Sequence, residues 1–119
     1  YVTLRSGTAC EGFNNQLDIV DLRNPASPFL SKTYSLTNPH GLSKDGNLLF
    51  ICDGKAGLKI YNAADVNNLE LISIIENMET FDVIAFKGIA LVVAKGGFYQ
   101  YDYTNPAKPV LLSKMEVAQ

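Results

Sequence analysis

The chain has 119 residues, ten basic and twelve acidic side chains, a formal net charge of −2, and 47% hydrophobic against 18% charged residues. That balance excludes a disordered tail, which could not bury enough apolar surface to offset the entropy of ordering, and it gives no basic field to hold a nucleic acid. No apolar run approaches the ~20 residues that cross a bilayer as a helix, so one globular unit is expected.

An internal repeat sets the order of the elements. The segment from Leu17 to Leu30, LDIVDLRNPASPFL, recurs from Phe98 to Leu111 as FYQYDYTNPAKPVL, with Asp, Asn, Pro, Ala, Pro and Leu in register. A looser copy runs from Leu58 to Leu71, with Asn62 where the others have Asp21 and Asp102. The period of roughly 40 residues is that of a propeller blade.

In chain order, the first period predicts strands at Tyr1 to Arg5, Leu17 to Leu22 and Pro28 to Leu36, with an innermost strand expected upstream of Tyr1. The second predicts an inner strand from Gly41 to Lys44, then Leu48 to Asp53, Gly57 to Asn62, and an outer strand from Leu69 to Glu76. The third repeats the pattern from Phe81 to Val117. Leu48 to Cys52 and Ile89 to Ala94 are continuous apolar runs bounded by glycine, as strands buried on both faces are. The strand that follows each alternates, as a half-exposed strand does. Asp45-Gly46 and Lys87-Gly88 are tight-turn signals, because glycine accepts positive φ. Pro25, Pro28, Pro39, Pro106 and Pro109 break most helical windows. The expectation is an all-β fold of about three four-stranded antiparallel β-propeller blades in one domain, at 1–36 (partial), 37–77 and 78–119. Propellers close with four to eight blades, so the ring is expected to be incomplete.

The sequence Leu17-Asp18-Ile19-Val20-Asp21, the turn Asn24-Pro25-x-x-Pro28, the step Asn38-Pro39-His40-Gly41 and the run Asp53-Gly54-x-x-Gly57-Leu58-Lys59-Ile60-Tyr61 resemble the LVIVD-repeat family over nearly the whole chain. The resemblance implies a β-propeller of bacterial cell-surface, periplasmic or lipid-anchored proteins, for which no general enzymatic activity is established. The middle copy departs from the pattern, with Val66 and Leu69 at both turn prolines. The Asn-Pro-x-x-Pro element reads as turn structure, since proline pre-sets φ and asparagine bonds nearby backbone. Asp21 and Asp102 are expected to cap that turn.

Laid side by side, such blades put the loops after their second and fourth strands on one face. That face would carry Arg5, the long loop Ser6 to Asn15, Asn38, His40, Asp53, Lys55, Glu76, Glu79, Asp82 and Lys95. Arg5, Asn38, His40, Asp53, Lys55 and Asp82 are the ligand-binding candidates, and the long loop is the natural place for binding function. Cys10 lies in that loop, and Cys52 closes a strand of the next blade. A disulfide between them, worth roughly 4 kcal/mol in chain entropy, stands against a buried thiol at Cys52 and a solvent-touched one at Cys10. The exported location that the resemblance implies would permit oxidation.

Two cysteines and one histidine lack the paired spacing of a structural zinc site. Asp53, Glu76, Glu79 and Asp82 could hold calcium near the axis, with solvated loop charges as the plainer reading. No catalytic motif is present, and His40 reads first as a turn residue bonded to backbone. Tyr99, Tyr101 and Tyr103 read as packing between blades before they read as a binding stripe. The functional expectation is a non-catalytic module that binds a protein or glycan through its loop-rich face. The alternatives are a metal-assisted hydrolase using His40, Asp53, Asp82 and Arg5, and an assembly module whose open edges pair with more chain or another copy.

Overall fold

The computed structural model describes residues 1–4, 16–21, 29–37 and 39–116. Eleven strands form three antiparallel sheets, and the described residues contain no helix. The first sheet orders β1 (Val2–Leu4), β2 (Gln16–Asp21) and β3 (Phe29–Ser35). The second orders β4 (Leu42–Asp45), β5 (Leu48–Cys52), β6 (Leu58–Asn62) and β7 (Glu70–Ile75). The third orders β8 (Thr80–Phe86), β9 (Ile89–Ala94), β10 (Gly97–Asp102) and β11 (Val110–Glu116). In each sheet consecutive strands are neighbours, and in the second and third sheets short hairpin connections join them.

Local chemistry accounts for the turns. Lys87 and Gly88 both take positive φ, 49° and 88°, as a two-residue turn matching the right-handed strand twist requires. In the second sheet the turn falls one residue later than the sequence suggests. Asp45 still pairs with Leu48 as a strand residue, and Gly46 (φ 59°) and Asn47 make the turn. The turn between third and fourth strands is the same with and without proline. Asn62 Oδ1 accepts the Ala64 N–H at 3.0 Å, and Asp102 Oδ1 accepts that of Thr104 at 2.8 Å. Asp65 and Asn105 repeat the motif toward Asn67 and Ala107. These side-chain brackets hold the turn, and so Val66 and Leu69 can replace the prolines. Asp21 has no described side chain, so its capping role lies outside the described residues.

A β-bulge recurs at one place in every period: between Ile19 and Val20, between Ile60 and Tyr61, and between Gln100 and Tyr101. Each shifts the outer strand by one residue and adds twist.

The sheets pack face to face. Leu17 and Ile19 of the first meet Leu49 and Ile51 of the second. The second interface gathers Phe50, Cys52, Leu58 and Ile60 against Val83, Ala85, Ala90, Val92, Tyr101 and Tyr103. Near the innermost strands, the Gly41 N–H donates to the Phe81 carbonyl at 3.0 Å across the two sheets. Strand β5 is buried on both faces, as its sequence predicts, whereas β9 alternates exposed and buried residues despite an equally apolar sequence. The physical reason is position: β5 lies between two sheets, and β9 has a neighbour on one side only.

Candidate functional site

The loops at one end of the stack, 53–57, 76–79, 95–96 and the 36–41 crossing between the first and second sheets, carry the candidates. Arg5, Cys10, Asn38 and the long loop 6–15 lie outside the described residues. The rest fall into two groups.

The first group is internal. Asp53 is fully buried, and its two oxygens accept the Thr37 N–H at 3.0 Å each while Lys59 Nζ lies 2.7 Å from Oδ2. A buried carboxylate needs such compensation. The charge ties the crossing strand to the β5–β6 hairpin and raises the Tyr61 hydroxyl pKa, adding to the larger effect of burial. Thr80, also fully buried, gives its hydroxyl to the Gly57 carbonyl at 3.0 Å and its N–H to the Gly54 carbonyl at 2.9 Å. Beside it Cys52 is a buried free thiol. Burial pushes that thiol up to about 12, with Asp82 adding to the rise and a hydrogen bond with Thr80 opposing it. Cys10, the expected disulfide partner, is not among the described residues.

His40 occupies a structural position too. Its N–H donates to the Cys52 carbonyl at 2.7 Å, and its ring meets Phe81 edge-on with centroids 5.4 Å apart. In the register of the two sheets His40 and Phe81 are equivalent residues, so the same place at the entrance of the second and third blades is filled by a ring. Asp82 is exposed, bonds the Val83 N–H, and crowds Gly41, where a Cβ would lie 2.3 Å from its Oδ1. Only glycine at 41 lets the two inner strands approach.

The second group is open to solvent. A shallow depression of about 480 Å³ is lined by Lys55, Ala56, Lys59, Ile74, Glu76 and Asn77. Asn77 holds positive φ (63°), a conformation that asparagine tolerates better than most residues. Of the six ligand-binding candidates Lys55 lines this depression, together with Glu76 of the acidic set, and sequence reasoning did not select Lys59 or Asn77. Lys59 was hidden because its value depends on a partner across the sheet. Among the described residues no three His, Cys, Asp or Glu side chains stand close enough to hold a metal ion. Tyr101 and Tyr103 are buried in the interface between sheets, where Phe50 meets the Tyr103 ring at 4.7 Å.

Short antiparallel meanders, stacked face to face with hairpin loops gathered at one end, define a β-propeller repeat. Residues 9–36 match the model of the LVIVD repeat, so the first of the three blades is built on an LVIVD repeat. The recurring bulge and turn brackets carry the same period through the second and third blades. No curated protein and no solved structure gives a significant match to the chain.

Proposed function

We propose that this chain is a non-catalytic β-propeller module of an exported or cell-surface protein, binding a protein or glycan partner through its loop-rich end. The observation that carries the reading is the depression between the 53–57 and 76–79 loops. Lys55, Glu76 and Asn77 there offer a cation, an anion and an amide on a rigid base. A polar, open concavity of this kind suits hydroxyl-rich or peptide ligands better than an apolar small molecule. The base is rigid because the Asp53, Lys59 and Thr37 bonds and the Thr80 bonds lie directly beneath it.

A glycan array probed with the protein, repeated with Lys55→Glu, tests this. Binding that Lys55→Glu removes without lowering the melting temperature supports it. Binding indifferent to Lys55→Glu, or hydrolysis of an arrayed glycan, would overturn it.

A further inference from the structure

One buried charge pair has no counterpart in the neighbouring blade. In the second blade Cys52 pairs with Leu58 and Ile51 with Lys59, and in the third Val93 pairs with Phe98 and Val92 with Tyr99. Position by position, Ala94 stands for Asp53 and Tyr99 for Lys59. Ala94 is buried, and Tyr99 packs against the apolar cluster between the second and third sheets. The fold thus fills this corner of a blade without a buried charge. A buried ion pair often stabilises a fold no better than apolar residues of similar volume, so packing does not account for Asp53 and Lys59.

What the pair adds is a fixed ammonium. Lys59 Nζ lies 2.7 Å from Oδ2 of the fully buried Asp53, and its side chain, 16% exposed, lines the depression of about 480 Å³ at the loop end. Among the described residues Asp53 is the one partner of this ammonium, which carries three donors. Asp53 presents no surface of its own. The depression therefore meets a ligand with the Lys55 and Lys59 ammoniums, the Glu76 carboxylate and the Asn77 amide. Exposed Ile74, which pairs with Lys59 across the sheet, adds an apolar patch.

Two donor-only cations match an anion, and the carboxylate and amide beside them match hydroxyls. A uronic acid residue carries both on one ring, with C–H faces for Ile74. A neutral sugar leaves both ammoniums unmatched, and a peptide carboxylate stands on a methylene stem with no hydroxyl beside it. A phosphate dianion would bring twice the charge against Glu76. The volume falls within the roughly 300–1,000 Å³ of small-ligand sites.

We propose that this depression binds a uronic acid residue of an acidic glycan, its carboxylate held by Lys59 and Lys55 and its ring hydroxyls by Glu76 and Asn77. The assignment rests on the loop-end binding proposed above and names the ligand class.

The test is isothermal titration of the protein with oligosaccharides of galacturonic, glucuronic and mannuronic acid, each beside its carboxyl-reduced, neutral counterpart, and with oligoglutamate. The proposal expects at least one uronate to bind, with carboxyl reduction and Lys55→Gln each weakening it about tenfold or more. Asp53→Asn combined with Lys59→Met strands neither charge, and it should bring the affinities for that uronate and its reduced counterpart together. Lys55→Gln decides alone where circular dichroism shows that the paired replacement does not fold. No uronate bound, equal affinity for the reduced counterpart, tighter binding of oligoglutamate, or uronate binding that ignores either replacement would overturn the proposal. Binding of a neutral sugar or of oligoglutamate that Lys55→Glu abolishes would overturn it yet leave the loop-end reading standing, whereas no ligand at that end would remove both.

Discussion

Replacing Lys59 by methionine removes the cation from Asp53 while keeping most of the side chain's length and apolar stem. Asp53 is fully buried and the Lys59 side chain is 16% exposed, so the pair is largely desolvated. Removing one partner from a buried pair costs about 3–5 kcal/mol, because the remaining charge loses its compensation. Here the carboxylate keeps the Thr37 N–H on both oxygens, and the ammonium gives up only part of its hydration in the folded state. The expected loss therefore falls to or just below the bottom of that range, about 2–3 kcal/mol. Asp53→Asn retains an acceptor for Thr37 but turns an amide donor toward an ammonium or leaves that ammonium unpaired, for about 1–3 kcal/mol. The double variant leaves neither charge stranded, and its loss should fall short of the sum by about 1–2 kcal/mol. Urea unfolding followed by far-ultraviolet circular dichroism and tyrosine fluorescence measures all three, with an unchanged m-value showing that only stability has moved. A Lys59→Met protein within about 0.5 kcal/mol of wild type, or a strictly additive double variant, would refute the claim that this pair is a buried, coupled unit.

Other outcomes follow from single sites. Gly57 has φ 91° and a Cβ there would lie 2.1 Å from the Ile75 carbonyl oxygen, so Gly57→Ala should cost more than about 2 kcal/mol in a urea melt. Gly46→Ala, where φ is 59° but space is open, should cost only about 1 kcal/mol, measured the same way. Cys52 should resist an alkylating reagent in the native protein and react once unfolded without reductant, which peptide mapping will show. Burial and the Asp45 carboxylate raise Tyr103 from 10.0 to about 12, so the folded state holds this proton more tightly than the unfolded one. The stability it contributes is complete below pH 10 and is lost as pH rises through 12. Tyr103→Phe should flatten that part of an alkaline melting curve.

The repeating strands were legible because their signals are local. Apolar runs such as Leu48 to Cys52 and turn pairs such as Lys87-Gly88 depend on neighbours in sequence, and the bulges left the period intact. Burial depended on distant geometry and was less legible. Ile89 to Ala94 has the composition of a two-sided core strand, yet one side is open because nothing in six residues states how many sheets flank them. Asp53 reads as a solvated loop charge because an acidic residue beside glycine usually is one. Its burial depends on Thr37 from the preceding crossing and Lys59 from the next strand. His40 was legible as a turn residue bonded to backbone, and its ring partner, Phe81, came only from the packing of two blades.

The bulge shared by all three sheets has a consequence for how such a chain can be lengthened or shortened. Because the outer strand slips by the same single step at the same pairing position each time, its pairing with the third strand follows one rule in all three sheets. An outer strand moved between periods would therefore meet the same bulge at the same pairing position. Lengthening or shortening such a chain by one whole period would leave the internal register of every remaining sheet unchanged, because each register is set within its own sheet.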